Sequence, residues 1–379
     1  MTRFCRLPTS TRKGSDKLAN DSAGSIAKLI LAASGSGPLN TIWLLAVVVG
    51  VSLLATGALR KYALVRSLID VPNARSSHSV PTPRGGGVAI VLSFLITLPI
   101  LAWNDAIAWP VATTLLGAGG WIAVIGFLDD HGHIAARWRL LAHFGGAIWA
   151  LFWIGGMAPI IVLGHEFNLG WFGYVVGAFY LVWMLNLYNF MDGIDGLASV
   201  EAICACVGAC LVYWVEGHAS LTIAPLVLAM AVLGFLIWNF PPAKIFMGDA
   251  GSGFLGIVLA ALSLHAAWTD PLLLWVWLIL LGVFIVDATF TLIRRLLRGD
   301  KVYEAHRSHG YQYASRKLGN HRIVTLSIAA INLLWLVPIS LLVTMQYIDG
   351  LLGLILAYAP LVWLAFKFHA GELEVVQNA

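Results

Sequence analysis

The sequence predicts an all-α integral membrane protein with about eleven transmembrane helices. The chain of 379 residues is 59% hydrophobic and 11% charged, with a mean hydropathy of +0.84, whereas a soluble domain carries roughly 25% charged residues. Its apolar residues form uninterrupted stretches long enough to cross a bilayer. Its 16 Trp and 10 Tyr are typical of the aromatic belts at membrane interfaces.

The predicted spans follow one another with short connections. They cover residues 40–59, 86–103, 110–128, 139–157, 171–188, 197–214, 220–239, 252–268, 272–293, 323–345 and 350–368. Between the fourth and fifth, the alternating segment Ala158–Gly170 predicts a small periplasmic β-hairpin. Residues 1–37, rich in Ser, Gly and Thr, are expected to form a disordered tail, residues 38–370 the membrane domain and residues 371–379 a C-terminal tail.

Lys and Arg in the short loops predict the orientation. One set of loops is rich in them and ends in the basic segment 294–322, while the alternate loops contain none. The basic set is therefore expected on the cytoplasmic side of a multi-pass membrane protein. With an odd number of spans, the N-terminus is then expected outside and the C-terminus inside.

Four groups of acidic and His residues fall on the predicted cytoplasmic side, which suggests one site built from several loops. The first is Asp129-Asp130, at the end of the third span. Two adjacent carboxylates repel each other unless a cation lies near them, and Mg²⁺ prefers such oxygen ligands together with substrate phosphates. A solvated loop after a helix is the alternative explanation.

The second and third groups combine Asp with Gly. In Asn189-Phe-Met-Asp192-Gly-Ile-Asp195-Gly, glycines after each Asp allow close approach of a ligand. In the segment from Asn239 to Ser252, Asp249 precedes a Gly-Ser-Gly sequence that opens the next span, where backbone N–H groups favour phosphate. Helix capping by these Asp residues is the alternative in both segments. Two further candidates in the third group are Lys244 for a phosphate and Phe246 for stacking on a base.

The fourth group lies in the longest cytoplasmic loop. His306 and His309, three residues apart, are expected to share a helical face and to hydrogen-bond a diphosphate. The neighbouring arginines serve equally well as lipid anchors. Asp287, inside the ninth span, is a functional candidate by default, with a salt bridge to an Arg as the structural alternative. In the loop between the first two spans, Arg75, His78 and Arg84 precede three glycines that could cradle a phosphate.

Taken in order, these motifs resemble the polyprenyl-phosphate N-acetylhexosamine-1-phosphate transferases, which are members of glycosyltransferase family 4. They include phospho-MurNAc-pentapeptide translocase and the enzymes that initiate O-antigen synthesis. The resemblance covers roughly residues 40–345 and implies a transferase that uses a UDP-N-acetylhexosamine, undecaprenyl phosphate and Mg²⁺, or Mn²⁺ in its place. The products would be undecaprenyl-diphosphate-sugar and UMP. The implied partners are these substrates and the lipid bilayer, without nucleic acid, and a homodimer stays open.

The resemblance also implies roles for single residues. Asp249 would bind Mg²⁺, and Asp129 would act as the base toward the lipid phosphate with the help of Asp130. Catalysis would also involve His306 and His309. The residues that it implies for nucleoside recognition or for lining the site are Asn189, Asp192, Asp195, Asn239 and Phe246. Independently of the resemblance, Lys244, His78, Arg84 and Arg307 are predicted to bind substrate from their place in these loops.

One departure from the family pattern narrows the prediction. The peptidoglycan enzymes have three consecutive His, and the common-antigen type has His-x-His-His, whereas this chain has His306-Arg-Ser-His309. The sequence thus resembles the O-antigen-initiating subgroup, whose donors include UDP-N-acetylglucosamine and UDP-N-acetylfucosamine. Peptidoglycan lipid I synthesis and a lipid-sugar or ion transporter stay as alternatives. A transporter would place its acids at mid-membrane. A CDP-alcohol phosphotransferase would need Ala-Arg after the Asp-Gly motif, which Asp192-Gly lacks.

Overall fold

The structure, a computed structural model, describes residues 38–72, 80–132, 134–301 and 306–373. In this part the chain forms a bundle of fourteen α-helices with two short hairpins. The helices are α1 (Pro38–Val65), α2 (Gly87–Trp103), α3 (Trp109–Gly132), α4 (Ala136–Ile154), α5 (Phe172–Met191), α6 (Leu197–Val215), α7 (Ile223–Asn239), α8 (Asp249–Thr269), α9 (Leu272–Leu280), α10 (Gly282–Leu297), α11 (Gly310–Leu318), α12 (His321–Ile331), α13 (Val337–Thr344) and α14 (Gly350–Lys367). A 3₁₀ turn at Ala219–Leu221 precedes α7, and a π-helical turn at Asn332–Leu336 joins α12 to α13.

The multi-pass, all-helical prediction is confirmed. Eight helices of the described chain are long and apolar enough to cross a membrane, or nine when α9 and α10 are taken as one bent span. Helices also occupy the two remaining predicted spans. Of these, α2 has 17 residues, and α4 carries Arg137, Arg139 and His143 near its start, which lower its hydropathy.

The ninth predicted span, residues 272–293, is not one continuous helix. Helices α9 and α10 meet at an angle of 73°. Near the break, the Tyr358 hydroxyl of α14 donates a hydrogen bond of 2.8 Å to the Leu278 carbonyl. The ring of Tyr358 also packs closely against Gly282, because a Cβ atom on this glycine would lie 3.0 Å from the ring. A side chain from another helix thus occupies the bend, which is a recognised cause of helix kinks.

Helix α8 forms the centre of the bundle, with nearly all its residues buried. Glycines let its neighbours approach closely. A Cβ atom on Gly126 of α3 would lie 2.5 Å from the Asp249 carbonyl oxygen, and one on Gly87 of α2 would lie 2.5 Å from the Gly251 Cα. These contacts, which no larger residue would allow, bring the start of α8 against the end of α3 and the start of α2.

The predicted hairpin between the fourth and fifth spans is present. Strands β3 (Ile160–Val162) and β4 (His165–Phe167) pair antiparallel, with Ile161 opposite Glu166. Leu163 and Gly164 join them, both with positive φ, as the commonest two-residue hairpin turn requires. A second, shorter pair, β1 (Ile69–Asp70) with β2 (Thr82–Pro83), was not predicted.

The predicted tails lie almost entirely outside the described residues, which begin at 38 and end at 373. Of the segment assigned to the C-terminal tail, residues 371–373 are described. Gly371 and Glu372 are held by arginines of α10 and just beyond it. Residues 371 and 372 therefore contact the end of α10.

Candidate active site

Two loops form the framework of the candidate site by pairing their backbones. The Phe246 N–H donates to the Pro83 carbonyl over 2.8 Å, and the Phe246 carbonyl accepts from the Gly86 N–H over 2.9 Å. One residue further on, the Gly87 N–H donates to the Met247 carbonyl over 2.9 Å. The glycine-rich loop before α2 and the loop before α8 therefore form one unit at the same end of the bundle.

Asp130 caps helix α8 from a neighbouring helix. Its Oδ1 accepts from the Asp249 N–H over 3.1 Å, and its Oδ2 accepts from the Ala250 N–H over 3.3 Å. Asp249 occupies the first helical position, so its own carboxylate is left free of the capping role that the sequence had kept open. Gly248 makes room for this arrangement, because a Cβ atom there would lie 2.8 Å from the Asp130 Oδ2.

Arg84 lies between the two carboxylates. Its Nη2 atom is 2.8 Å from the Asp130 Oδ1 and 2.6 Å from the Asp249 Oδ1. Burial lowers the pKa of the guanidinium, but the carboxylates of Asp249 and Asp130 more than offset this, and the net pKa is raised. Arg84 is thus a permanent cation that bridges the first and third acidic groups.

Asp129, the predicted base, already has a donor at each oxygen. Its Oδ1 accepts from the Ile134 N–H over 2.7 Å, and its Oδ2 forms an ion pair with Arg139. Arg139 was not among the residues predicted for the site. The side chain of Asp129 is 7% exposed, so a substrate reaches this carboxylate only by displacing or joining these donors.

Asn189 and Asp192 end helix α5 beside this cluster. Within the described chain, neither side chain forms a hydrogen bond, and both are partly exposed. Burial raises the pKa of the Asp192 carboxyl well above its usual range; Arg84 opposes this, while Asp249, Asp130 and Asp195 reinforce it. The structure therefore brings Asp192, Asp249 and Asp130 into one electrostatic cluster, with Asp192 and Asn189 available for a ligand.

Asp195 and Asn239 hold the surrounding loops together. Asp195 accepts from the Ala243 N–H over 2.9 Å and pairs with His321 Nδ1 over 3.2 Å. Asn239 is 3% exposed; its Oδ1 accepts from the Gly196 N–H, and its Nδ2 donates to the Ile245 carbonyl, each over 3.0 Å. His321 was missed from the sequence, where it lies 126 residues from Asp195 with no motif around it.

The remaining candidates of the third group lie at the edge of the site. Lys244 is exposed, with its Nζ 5.6 Å from the centre of the Trp238 ring. Its carbonyl accepts from the Arg60 Nε over 3.2 Å. Phe246 is half-buried. The contacts of Lys244 are therefore with α7 and α1 rather than with the carboxylate cluster.

Two other predicted residues belong to the loops around the site. His78 is outside the described residues, together with Arg75. Arg307 is half-buried, and its carbonyl accepts from the Arg316 Nη2 over 3.3 Å.

His306 and His309 form an aromatic cluster with α5. Their ring centres are 4.8 Å apart, and the Phe190 ring lies 6.3 Å and 6.4 Å from them. The prediction of a shared helical face is wrong. His306 lies outside any helix, and His309, in extended backbone, is the N-cap of α11. Their rings approach because the loop turns, rather than through helical periodicity.

Asp287 holds His309 and the first residues of α11 in place. Its Oδ1 lies 3.2 Å from His309 Nδ1 and accepts from the Gly310 N–H over 3.0 Å, while its Oδ2 accepts from the Tyr311 N–H over 2.9 Å. The partner of this intramembrane acid is thus a His and a helix N-terminus, rather than the expected Arg. His309 Nε2 is buried without a hydrogen-bond partner in the described chain. It is therefore a polar atom available to a ligand.

His306 is a neutral imidazole at physiological pH. Burial, His309 and Arg295 lower its pKa to about 3, against a smaller opposing effect of Asp287 and Asp300. A neutral imidazole can still donate one hydrogen bond. The Tyr311 hydroxyl donates to the Phe190 carbonyl over 3.0 Å. It thereby ties this His cluster to the end of α5, which also carries Asn189 and Asp192.

The carboxylate cluster is chemically suited to a hard divalent cation. No group of three His, Cys, Asp or Glu in the described chain is arranged to hold a metal by itself. Mg²⁺, however, is usually bound by one or two carboxylates together with substrate phosphates. Asp249 and Asp192 offer such oxygens next to Asp130, so three carboxylates share this part of the site with the single cation Arg84.

Comparisons with known proteins identify the family. The model of glycosyl transferase family 4 matches residues 112–267. A "probable undecaprenyl-phosphate N-acetylglucosaminyl 1-phosphate transferase" of Bacillus subtilis is 31% identical over 326 residues, covering 80% of this chain and 89% of the relative. A phospho-N-acetylmuramoyl-pentapeptide-transferase of Streptococcus pneumoniae strain D39 is 33% identical over 242 residues, covering 60% and 70%. The chain therefore belongs to the polyprenyl-phosphate sugar-1-phosphate transferases of glycosyl transferase family 4, which confirms the resemblance drawn from its motifs.

Proposed function

We propose that this protein transfers an N-acetylhexosamine 1-phosphate from its UDP-sugar to undecaprenyl phosphate, giving undecaprenyl-diphosphate-sugar and UMP. The observation that carries the proposal is the convergence of Asp249, Asp192 and Arg84 with the His306–His309 cluster at one end of the bundle. Two anionic substrates repel each other, and carboxylates that attract a divalent cation, next to hydrogen-bond donors, offset that repulsion.

In the proposed reaction, an oxygen of the lipid phosphate forms a bond to the β-phosphorus of the donor, and the bond from that phosphorus to the UMP oxygen breaks. His306 and His309 Nε2 would hydrogen-bond the diphosphate, and Arg84 would turn from the carboxylates toward a phosphate. Mg²⁺, or Mn²⁺, would neutralise the donor diphosphate when held by Asp249 and Asp192. Asp130 would position Asp249 by capping α8.

Asp129 would orient the lipid phosphate or accept its proton. A lipid phosphate is already mostly ionised near neutral pH, so orientation would contribute more than proton transfer. A covalent aspartyl-phosphate intermediate is the rival path. Sugar-phosphate retained on the protein when lipid is withheld would favour that path over direct attack.

The uridine would lie beside Asn189 and Phe246, close to the loops held by Asp195 and Asn239. These last two side chains are engaged with backbone groups, so we assign them to positioning the binding loops. Lys244 and Arg307 would contribute at the rim of the site, and His78 from the loop that precedes Arg84.

Ser308 argues for an O-antigen-type donor, such as UDP-N-acetylglucosamine or UDP-N-acetylfucosamine, because the peptidoglycan enzymes have a third His in this motif. Peptidoglycan lipid I synthesis stays a second candidate, since several relatives are named phospho-N-acetylmuramoyl-pentapeptide-transferases. In this proposal, the reaction initiates the synthesis of O-antigen or a related cell-envelope polysaccharide.

We place the site at the cytoplasmic face of the bacterial inner membrane. Spans one, three, five and seven end near the site, and spans two, four, six and eight begin there. The loops at this end carry the Lys and Arg residues, as cytoplasmic loops do.

The test uses the purified protein in detergent with undecaprenyl phosphate, Mg²⁺ and a panel of radiolabelled UDP-N-acetylhexosamines, with Asp249→Asn as control. We expect label in the extracted lipid with an N-acetylhexosamine donor, and none after chelation or in the variant. Label only with UDP-MurNAc-pentapeptide would support the peptidoglycan candidate. The proposal would be contradicted if the protein is folded and none of the donors gives labelled lipid.

A further inference from the structure

The turn that follows α14 binds the loop of the catalytic His pair. This turn, residues 368–372, is called here the α14 turn. Arg298 Nη1 donates to the Gly371 carbonyl over 2.7 Å, and Arg294 Nη1 donates to the Ala370 carbonyl over 3.1 Å. Both arginines belong to the basic segment 294–322, in which lipid anchoring was an equally good explanation for the arginines. Their contacts assign them to the protein itself.

The α14 turn has a backbone shape that admits little change. Ala370 is fully buried. His369 and Gly371 both have positive φ, of 54° and 77°. A Cβ atom on Gly371 would lie 2.9 Å from the Arg294 Cβ and 3.1 Å from the Thr291 carbonyl oxygen. The turn therefore fits closely against the last turns of α10.

From this position, the α14 turn reaches directly into the His loop. The Gly371 N–H donates to the Ser308 carbonyl over 2.6 Å. Ser308 lies between the two histidines, and its Oγ is 3.0 Å from His306 Nδ1. On the next helix, the rings of Tyr313 and His369 are 4.8 Å apart. The turn thus touches the loop before α11 and α11 itself.

We propose that the α14 turn is a clamp that positions His306 and His309 for the donor diphosphate, with Arg298 as its principal positioning residue. Arg298 fixes the Gly371 carbonyl, and the N–H of the same residue fixes the Ser308 carbonyl. Gly371 therefore connects Arg298 to the backbone of Ser308, which lies between the two histidines. This inference rests on the proposed function for its effect on catalysis, although the contacts themselves are independent of it.

Arg298 also pairs with Asp300 over 2.5 Å, so the test must separate the two contacts. Four single variants do so: Arg298→Gln removes both contacts, Arg298→Lys keeps a donor and the charge, Asp300→Asn removes only the carboxylate, and Lys317→Gln removes an exposed charge elsewhere in the basic group. Each is measured for donor KM and kcat, melting temperature, and amide hydrogen exchange of residues 306–313.

We expect Arg298→Gln to raise the donor KM about tenfold, with a smaller change in kcat, because misplaced binding groups weaken contact with the substrate. Exchange of residues 306–313 should become faster while the melting temperature stays near that of the parent. Arg298→Lys should restore most of the affinity, and Asp300→Asn and Lys317→Gln should resemble the parent.

Three results would overturn the clamp: unchanged exchange in Arg298→Gln, an equal effect of Asp300→Asn, or a lower melting temperature with no change in KM. A chain shortened after Leu373 provides a further comparison with one shortened after His369. Only the second should lose donor affinity. If the parent protein transfers no sugar-phosphate, the proposed function fails, and the exchange experiment still decides whether the turn holds the loop.

Discussion

At the scale of single residues, the site is organised around one arginine between carboxylates. Arg84 contacts Asp130 and Asp249 with the same Nη2 atom. It therefore lies where a divalent cation would also be attracted. Arginine and metal should compete for Asp249, since both stabilise its negative charge.

This competition gives the first prediction. Arg84→Gln should lower the Mg²⁺ concentration needed for half-maximal activity, because Asp249 loses its competing partner. The maximal rate should fall by about tenfold to a hundredfold, since the proposed reaction would lose a cation near the substrate phosphates. Magnesium titrations of activity, with metal binding followed by calorimetry, measure both effects. Arg137→Gln, which removes an exposed arginine at the start of α4, is the matched control. An unchanged magnesium dependence of Arg84→Gln would refute the competition.

The second prediction concerns the neutral state of His306. Its pKa is about 3 in the folded protein, against about 6.5 in an unfolded chain. The unfolded state therefore binds a proton that the folded state rejects, so folding stability should fall as pH decreases below about 6.5. His306→Gln should weaken this acid-induced loss. Melting temperatures at pH 7.5 and pH 5 measure it, and an identical drop in parent and variant would argue against a depressed His306 pKa.

At the scale of elements, backbone contact between α3 and α8 sets the position of Asp249. The approach depends on Gly126, where a Cβ atom would collide with the Asp249 carbonyl oxygen at 2.5 Å and the Ala250 nitrogen at 2.6 Å. The cap that Asp130 provides depends on the same approach, because Asp130 lies one turn further along α3.

Gly126→Ala should therefore separate α3 from α8, with a destabilisation of about 1–3 kcal/mol typical of overpacking. The transfer rate should fall even where the protein stays folded, because Asp130 would lose its contact with the start of α8. Gly120→Ala on the same helix is the control, since a Cβ there meets its nearest atom at 3.6 Å. Melting curves and transfer rates of both variants provide the comparison. Equal behaviour of the two would show that the close approach is unimportant.

At the scale of the whole molecule, the direction of successive helices gathers the four predicted groups of acidic and His residues at one end. The hairpin β3–β4 belongs to the connection between α4 and α5, at the opposite end. The two ends should therefore lie on opposite sides of the membrane.

Cysteine labelling tests this orientation. In a background without the native cysteines, His165→Cys in the hairpin should react with a membrane-impermeant maleimide on intact cells. Lys317→Cys in α11 should react only after permeabilisation. Both positions are exposed, so access to the reagent depends on the side of the membrane. The reverse pattern would place the site outside the cytoplasm.

The sequence by itself determined the class of fold, because the membrane requires long apolar helices and these are visible in any window of hydropathy. It also determined the family through the order of its motifs. It singled out the charged groups that the structure brings together at one end of the bundle, because charged groups near a bilayer are costly and therefore stand out. The small hairpin could also be predicted, because the alternation of its strands and its turn are local features of the sequence.

Only the tertiary structure decided the partners of these residues. Asp130 caps a helix 119 residues away, His321 pairs with an Asp from a distant loop, and Tyr358 lies at the bend between α9 and α10. The His pair, too, meets through a turn of the loop rather than through helical spacing. Such contacts depend on how glycines allow helices to approach, and on side chains that meet only after packing. Local sequence patterns carry the chemistry of each residue, whereas the distance between two residues is a property of the folded bundle.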